Sequence, residues 1–211
     1  MQLRHGAEDM EGRETTVRKE SFFKRKDIEI SVKRYLQDAL SAMALGLFGS
    51  LLIGVIFDTI GVQTANLFGD NVISAFCVEV GAQAKTYMGA AIGVAVAWSL
   101  KSPPLVLFTS VVTGMMGASM TGFGIEVAGG PAGAFLAVAV GAEFGKMVSK
   151  ETKVDILVTP AVTLISGAIV AKLVGPAIGW CMLRLGDLIM TATEWQPFVF
   201  GIVISVIVGL V

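Results

Sequence analysis

The sequence predicts an all-α membrane protein, a polytopic transmembrane helical bundle that contains short or broken helices. Three observations carry that expectation. Hydrophobic residues make up 54% of the chain and mean hydropathy is +0.75, well above the range of soluble globular domains. Past residue 38 the apolar runs approach the roughly 20 residues that a helix needs to cross a hydrocarbon core of about 30 Å. Charge is also segregated. Residues 1–34 hold nine Lys/Arg and seven acids, whereas the other 177 hold seven Lys/Arg and ten acids.

This segregation divides the chain into a charged N-terminal segment, 1–34, and an apolar domain, 35–211. About 35 polar residues precede the first apolar run, so that run reads as a retained span and not as a cleaved signal. Within 13–37, Phe22, Phe23, Ile28, Val32, Tyr35 and Leu36 alternate with basic clusters. That pattern suits a helix on an anionic leaflet and equally an ordinary solvated helix leading into the first span.

The apolar body divides at charges and prolines. Residues 39–60 form a first span interrupted only by Asp58, and 61–70 read as a loop. Residues 72–80 are too short to cross, and 82–100 cross if Lys85 snorkels. Lys101-Ser102-Pro103-Pro104 is a stop, because proline cannot continue the preceding helix. Residues 105–123 carry no charge and form the next span, followed by a glycine-rich turn at 124–130. Residues 128–148 cross next, 149–155 are a polar hairpin loop, and 156–174 form the fifth crossing, broken by Gly175-Pro176. A shorter amphipathic piece, 178–193, leads to a sixth run from Pro197. The last fifteen residues, 197–211, are apolar without a polar flank. They read as an interrupted crossing, and the sequence thus predicts a longer protein with about six spans present here.

Basic residues of short loops set orientation. Lys101, Lys146, Lys150 and Lys153 fall on the N-terminal side of the bundle, while 61–71 and 122–130 contain no Lys or Arg. The expected location is the cytoplasmic membrane, with the N-terminus in the cytoplasm. A candidate parallel internal repeat relates Gly49 to Gly61 with Gly167 to Gly179, each ending Ile-Gly, at an offset of 118. Repeated bundles are a common transporter plan. Chance likeness between Gly/Ile/Leu/Val-rich helices accounts for it equally well.

Chemistry is sparse. His5, in the charged segment, is the one histidine, which leaves no material in the body for a catalytic His/Asp/Ser set or a His-based metal site. There is no Walker sequence. Cys77 and Cys181 read as packing residues. No catalytic residue, metal or cofactor is expected, and no nucleic-acid partner. The segment 121–133 (TGFGIEVAGGPAG) is the best candidate site. Glycines permit unusual backbone shapes, and a helix beginning at Pro131 presents N–H groups and a positive dipole end. Thr121, Glu126, Gly129 and Gly130 are therefore candidate solute-binding residues, although a tight turn between two helices explains the same glycines. Glu79, apolar on both sides, joins them as an ionisable group inside a span. Glu143 and Lys146, three apart, are expected to pair on one helix face. Asn71 and Gln83 are expected in outer positions.

The stretch GGPAGAFLAVAVGAEFGKMVSKETKVDILVTPAVTL (129–164) resembles the membrane-embedded IIC component of phosphotransferase-system sugar transporters, in the branch that includes perfringolysin O regulator-like proteins. The resemblance runs from about Tyr35 to Val211. It implies a permease that binds a sugar and carries it across the lipid bilayer, homodimeric like many relatives, with phosphoryl transfer supplied by separate IIA and IIB proteins. This chain departs from that pattern in having no histidine in the body and no IIA or IIB phosphorylation site. The alternative is a membrane-bound ligand sensor that regulates transcription without transport.

Overall fold

The computed structural model describes residues 26–28, 31–122, 125–151, 154–195, 201 and 205. Most of the charged segment, including the amphipathic pattern before residue 26, and the apolar run from Pro197 lie outside them, apart from isolated helical positions 201 and 205.

The described chain is a bundle of seven helices with one short hairpin. Helix α1 is one long helix, Lys33–Phe68, in which Lys33–Ala39 and Phe48–Leu52 have the wider π-helical winding. Then follow α2 (Val72–Thr86), α3 (Met88–Ser99), α4 (Pro104–Ser119), strands β1 (Thr121–Gly122) and β2 (Ile125–Ala128), α5 (Gly130–Val148), α6 (Asp155–Leu173) and α7 (Gly175–Trp195). By length and composition α1, α5 and α6 can each cross a membrane; α3 and α4 are shorter apolar helices. Large side chains on their outer faces, such as Trp98 and Phe108 at 71% exposed each, suit a lipid surround.

Small residues set the packing. Helices α3, α4, α5 and α6 form the centre, with the first half of α1 against α3. Ala39, Ile92, Val96, Leu100, Val106 and Val138 are buried there. Gly93 of α3 lies against the Ser110 carbonyl of α4, and Gly114 of α4 against the Gly89 carbonyl of α3, each too close for a Cβ. Where burial of apolar surface gains little, as among lipid tails, such close backbone approach supplies the van der Waals contact that holds helices together.

Two boundaries differ from the sequence reading. Residues 61–68 are helical and not a loop, and the turn comes at Gly69, whose φ is +73°. Gly61 is a contact position: a Cβ there would stand 2.8 Å from the Ser74 carbonyl of α2. The span expected at 82–100 is two helices that part at Tyr87. Gly54 and Gly81 bring α2 onto α1, whereas Gly89 and Gly93 bring α3 onto α4, so a bend between them lets each segment keep its own partner. Thirty-six residues make α1 about 54 Å long at the α-helical rise, more than a bilayer core needs. Its second half with α2 is accordingly an arm of its own. Asp58 and Lys85 pair across that arm at 2.8 Å, so Lys85 has a carboxylate partner in place of the expected snorkelling.

The candidate repeat has no common local structure. Gly49 to Gly61 lies within continuous α1, whereas Gly167 to Gly179 straddles the break at Val174 between α6 and α7. Pro176 sits in the first turn of α7, where its missing N–H is tolerated.

Candidate functional site

The connections sort the bundle into two ends. At one lie the 26–28 segment, the turn at 100–103 and the loop after α5. At the other lie the β-hairpin and the α6–α7 junction.

The second is a glycine corner. The β-hairpin pairs Thr121 with Ala128 and Gly122 with Ile125, and α5 begins at Gly130 with φ +59°. Gly117, Gly129, Gly133 and Gly175 crowd together: a Cβ on Gly129 would be 2.8 Å from the Gly117 carbonyl and 3.0 Å from the Gly175 Cα. Beside them is a cavity of about 660 Å³ lined by Met43, Ala128, Gly129, Gly130, Met182 and Leu183, among others. Its walls are apolar side chains, and its polar surface comes from backbone. The amides of Gly130 and Ala132 belong to the first turn of α5, where no intrahelical carbonyl is available to them.

Four of the five sequence candidates fall at this corner. Gly129 and Gly130 line the cavity. Thr121 is exposed and faces Ala128, a lining residue, across the strand pair; Glu126 is a residue of β2. Glu79 is elsewhere, exposed on α2 in a cleft of about 840 Å³ shared with Asn66, Asp70 and Asn71. Asn71 has a local task there: its side chain accepts from the Ser74 N–H at 2.9 Å and the Ser74 hydroxyl accepts from the Asn71 N–H at 3.1 Å. This reciprocal cap starts α2. Gln83 is exposed on the same helix.

The charged end holds a network that sequence spacing foretold only in part. Lys146 and Glu143 pair at 2.8 Å, as their spacing predicts. Lys146 is nevertheless fully buried, only 1% exposed. Its ammonium also donates to the Leu100 and Asp27 carbonyls, both at 3.1 Å. Arg34 donates to both Asp27 carboxylate oxygens, at 2.8 and 3.3 Å, and to the Leu100 carbonyl at 2.8 Å. Lys26 pairs with Glu151 at 2.7 Å and donates to the Ser149 carbonyl. Long basic side chains thus cap the carbonyl ends of α3 and α5, which favours cations there. The Arg34 hydrogen bonds hold the Asp27 carboxyl below the ordinary carboxylate range, burial opposing them. The Glu143 carboxylate is buried between the Lys146 ammonium and the Tyr35 hydroxyl, although neither of its oxygens has a partner at ideal hydrogen-bond angles among the described residues.

Among known proteins, residues 37–211 match the family model described as phosphotransferase system, EIIC. No curated protein and no solved structure matches the chain. The family match takes in nearly all of the apolar body and agrees with a predominantly helical membrane bundle. The chain belongs to the EIIC family, the membrane-embedded permease component of the phosphotransferase system.

Proposed function

We propose that the chain binds a sugar at the glycine corner and passes it across the bilayer, with the charged end in the cytoplasm. The observation that carries this reading is the cavity at the start of α5. Its volume lies within the range of small-molecule sites, about 300–1,000 Å³. Backbone amides at a helix start offer donors to hydroxyl oxygens, and apolar walls accept the C–H faces of a sugar ring. Backbone outside a helix or barrel is tolerated at membrane depth only against protein or a watery cavity, which fits the hairpin. Movement would come from rocking of α1 and α7 against the α3–α6 centre, since Met43 and Met182 wall the cavity from those two helices. Phosphorylation of the sugar falls to IIA and IIB proteins. The basic turns around Lys101 and Lys150 support a cytoplasmic charged end.

The test is uptake of a panel of radiolabelled sugars by cells that lack a resident sugar permease but express this chain with IIA and IIB proteins. One sugar should accumulate. Met182→Trp, which fills the cavity from an exposed position, should abolish its uptake, whereas Glu79→Gln should retain it. Uptake that survives Met182→Trp but is lost in Glu79→Gln would move the site to the α1–α2 cleft. Binding without any uptake would favour the sensor.

A further inference from the structure

We propose that the charged end holds a binding site for a phosphate group, formed by Lys101 and Lys150 over the pocket between the 26–28 segment and the turns that follow α3 and α5. The pocket measures about 520 Å³ and is lined by Lys26, Asp27, Lys101, Lys146, Lys150 and Glu151, with Pro103 and Ser149. Four lysines face two acids, and both acids are already engaged, Asp27 by Arg34 and Glu151 by Lys26.

Helix capping does not account for the two outer lysines. A cation after a helix ordinarily serves the last carbonyls. Here the Leu100 carbonyl already receives Arg34 and Lys146, and the Ser149 carbonyl receives Lys26. Among the described residues, the ammonium groups of Lys101 and Lys150 take part in no hydrogen bond or ion pair. Asp155 sits beside Lys150, but it accepts from the Lys150 backbone N–H and the Thr159 hydroxyl.

Backbone conformation adds an independent sign. Asp27, Lys101 and Lys150 have φ of +51°, +55° and +61°, and they are all of the non-glycine residues with positive φ among those described. Every one lines this pocket. Glycine adopts that conformation without strain, and the chain uses it so at Gly69 and Gly130. The turn at Lys101 is a Schellman closure, with Ser102 N–H on the Ala97 carbonyl at 3.0 Å and Lys101 N–H on Trp98 at 2.9 Å. Glycine is its usual residue there. Strained non-glycine residues gather where function keeps the side chain, and two of the three here are lysines. The start of α4 at Pro104, directly after the lining Pro103, adds a positive dipole end. Compact ammonium groups beside a helix start suit a phosphate's oxygens. The phosphate could belong to a soluble phosphomonoester or to a lipid headgroup.

The full chain in phosphatidylcholine nanodiscs is titrated with inorganic phosphate at constant ionic strength, and in a second arm phosphatidic acid is added to the disc. Thermal unfolding reads binding, and Lys101→Gln/Lys150→Gln is the comparison. Its midpoint in chloride checks that it folds. Phosphate should raise the wild-type midpoint, and the double variant should need about tenfold more ligand for the same rise, as expected from loss of one charge-assisted hydrogen bond or more. A response only to phosphatidic acid, lost in the variant, keeps the site and names the lipid as its source. No response in either arm, or an equal response from the variant, overturns the proposal. Sugar uptake plays no part in this readout, so failure here leaves the permease reading standing.

Discussion

The two ends of the bundle solve the same problem, how to close helices against one another, by opposite means. At the charged end, Arg34, Lys26 and Lys146 reach across and satisfy carbonyls of α3, α5 and the 26–28 segment. At the glycine corner, Gly117, Gly129, Gly133 and Gly175 remove the side chains and let backbones touch. A network of charges is rigid in direction but expensive to break where its members are buried, as Arg34, Lys26 and the Lys146–Glu143 pair are. A glycine contact has no directional bond and can slide. The end built from small residues is therefore suited to movement around a solute, and the ionic end to serving as a fixed base.

The largest expected effect breaks the ionic base. Lys146→Met leaves Glu143 buried without its cation, and unpairing a buried charge costs about 3–5 kcal/mol. Adding Glu143→Met should recover most of that loss, since apolar replacement of a whole buried pair is often close to neutral. Unfolding in mild detergent measures both, and a double variant no better than the single would show that the pair is not coupled. Next comes Gly117→Ala, whose Cβ would be 2.5 Å from the Gly133 carbonyl and 2.7 Å from the Ala137 Cβ. Overpacking of this kind costs about 1–3 kcal/mol, and sugar uptake should fall with it. A smaller effect sharpens the contrast between buried and exposed charge. Asp58→Asn should cost no more than about 1 kcal/mol, because its pair with Lys85 is one-third exposed on both sides. A larger loss in that unfolding assay would mean the arm is buried in the working protein.

The smallest effect is one of pH. Asp27 has a folded pKa below its unfolded value of about 3.9 through its hydrogen bonds to Arg34. Its contribution is therefore complete above the unfolded value and is lost as pH falls through the lower folded one. Protease access to the 26–28 segment should rise on acidification below about pH 4. Asp27→Asn should show raised access already at neutral pH and little further change.

Much of the fold was legible because it rests on hydropathy and proline. The stops at Pro103-Pro104 and before α7, the spans now seen as α5 and α6, and the Glu143–Lys146 pair follow from local sequence. What escaped was decided by partners distant in sequence. Gly61 looks like a loop residue until α2 is placed against it. Tyr87 carries no breaker of its own, and the bend there comes from two sets of glycines with different partners. Arg34 read as the edge of a polar head, yet it donates both to Asp27 and to the carbonyl of Leu100, which lies 66 residues beyond Arg34. At the candidate site, sequence found the glycines because their backbone role is local. It grouped Glu79 with them only by chemistry, and the cavity at the start of α5 does not include it. The strain at Lys101 and Lys150 has no signature in residue identity, since a lysine at the end of a helix is ordinary.

The most direct test of sugar binding at the glycine corner is solute protection of a single cysteine. Ala132 lines the cavity, and Ala132→Cys is made with Cys77 and Cys181 replaced by serine. Its reaction with a thiol reagent is then followed in membranes. The transported sugar should slow labelling in proportion to its occupancy, while a cysteine at Ala75 in the α1–α2 cleft should label at an unchanged rate. Equal labelling of Ala132→Cys with and without saturating sugar, alongside protection at position 75, would contradict the assignment.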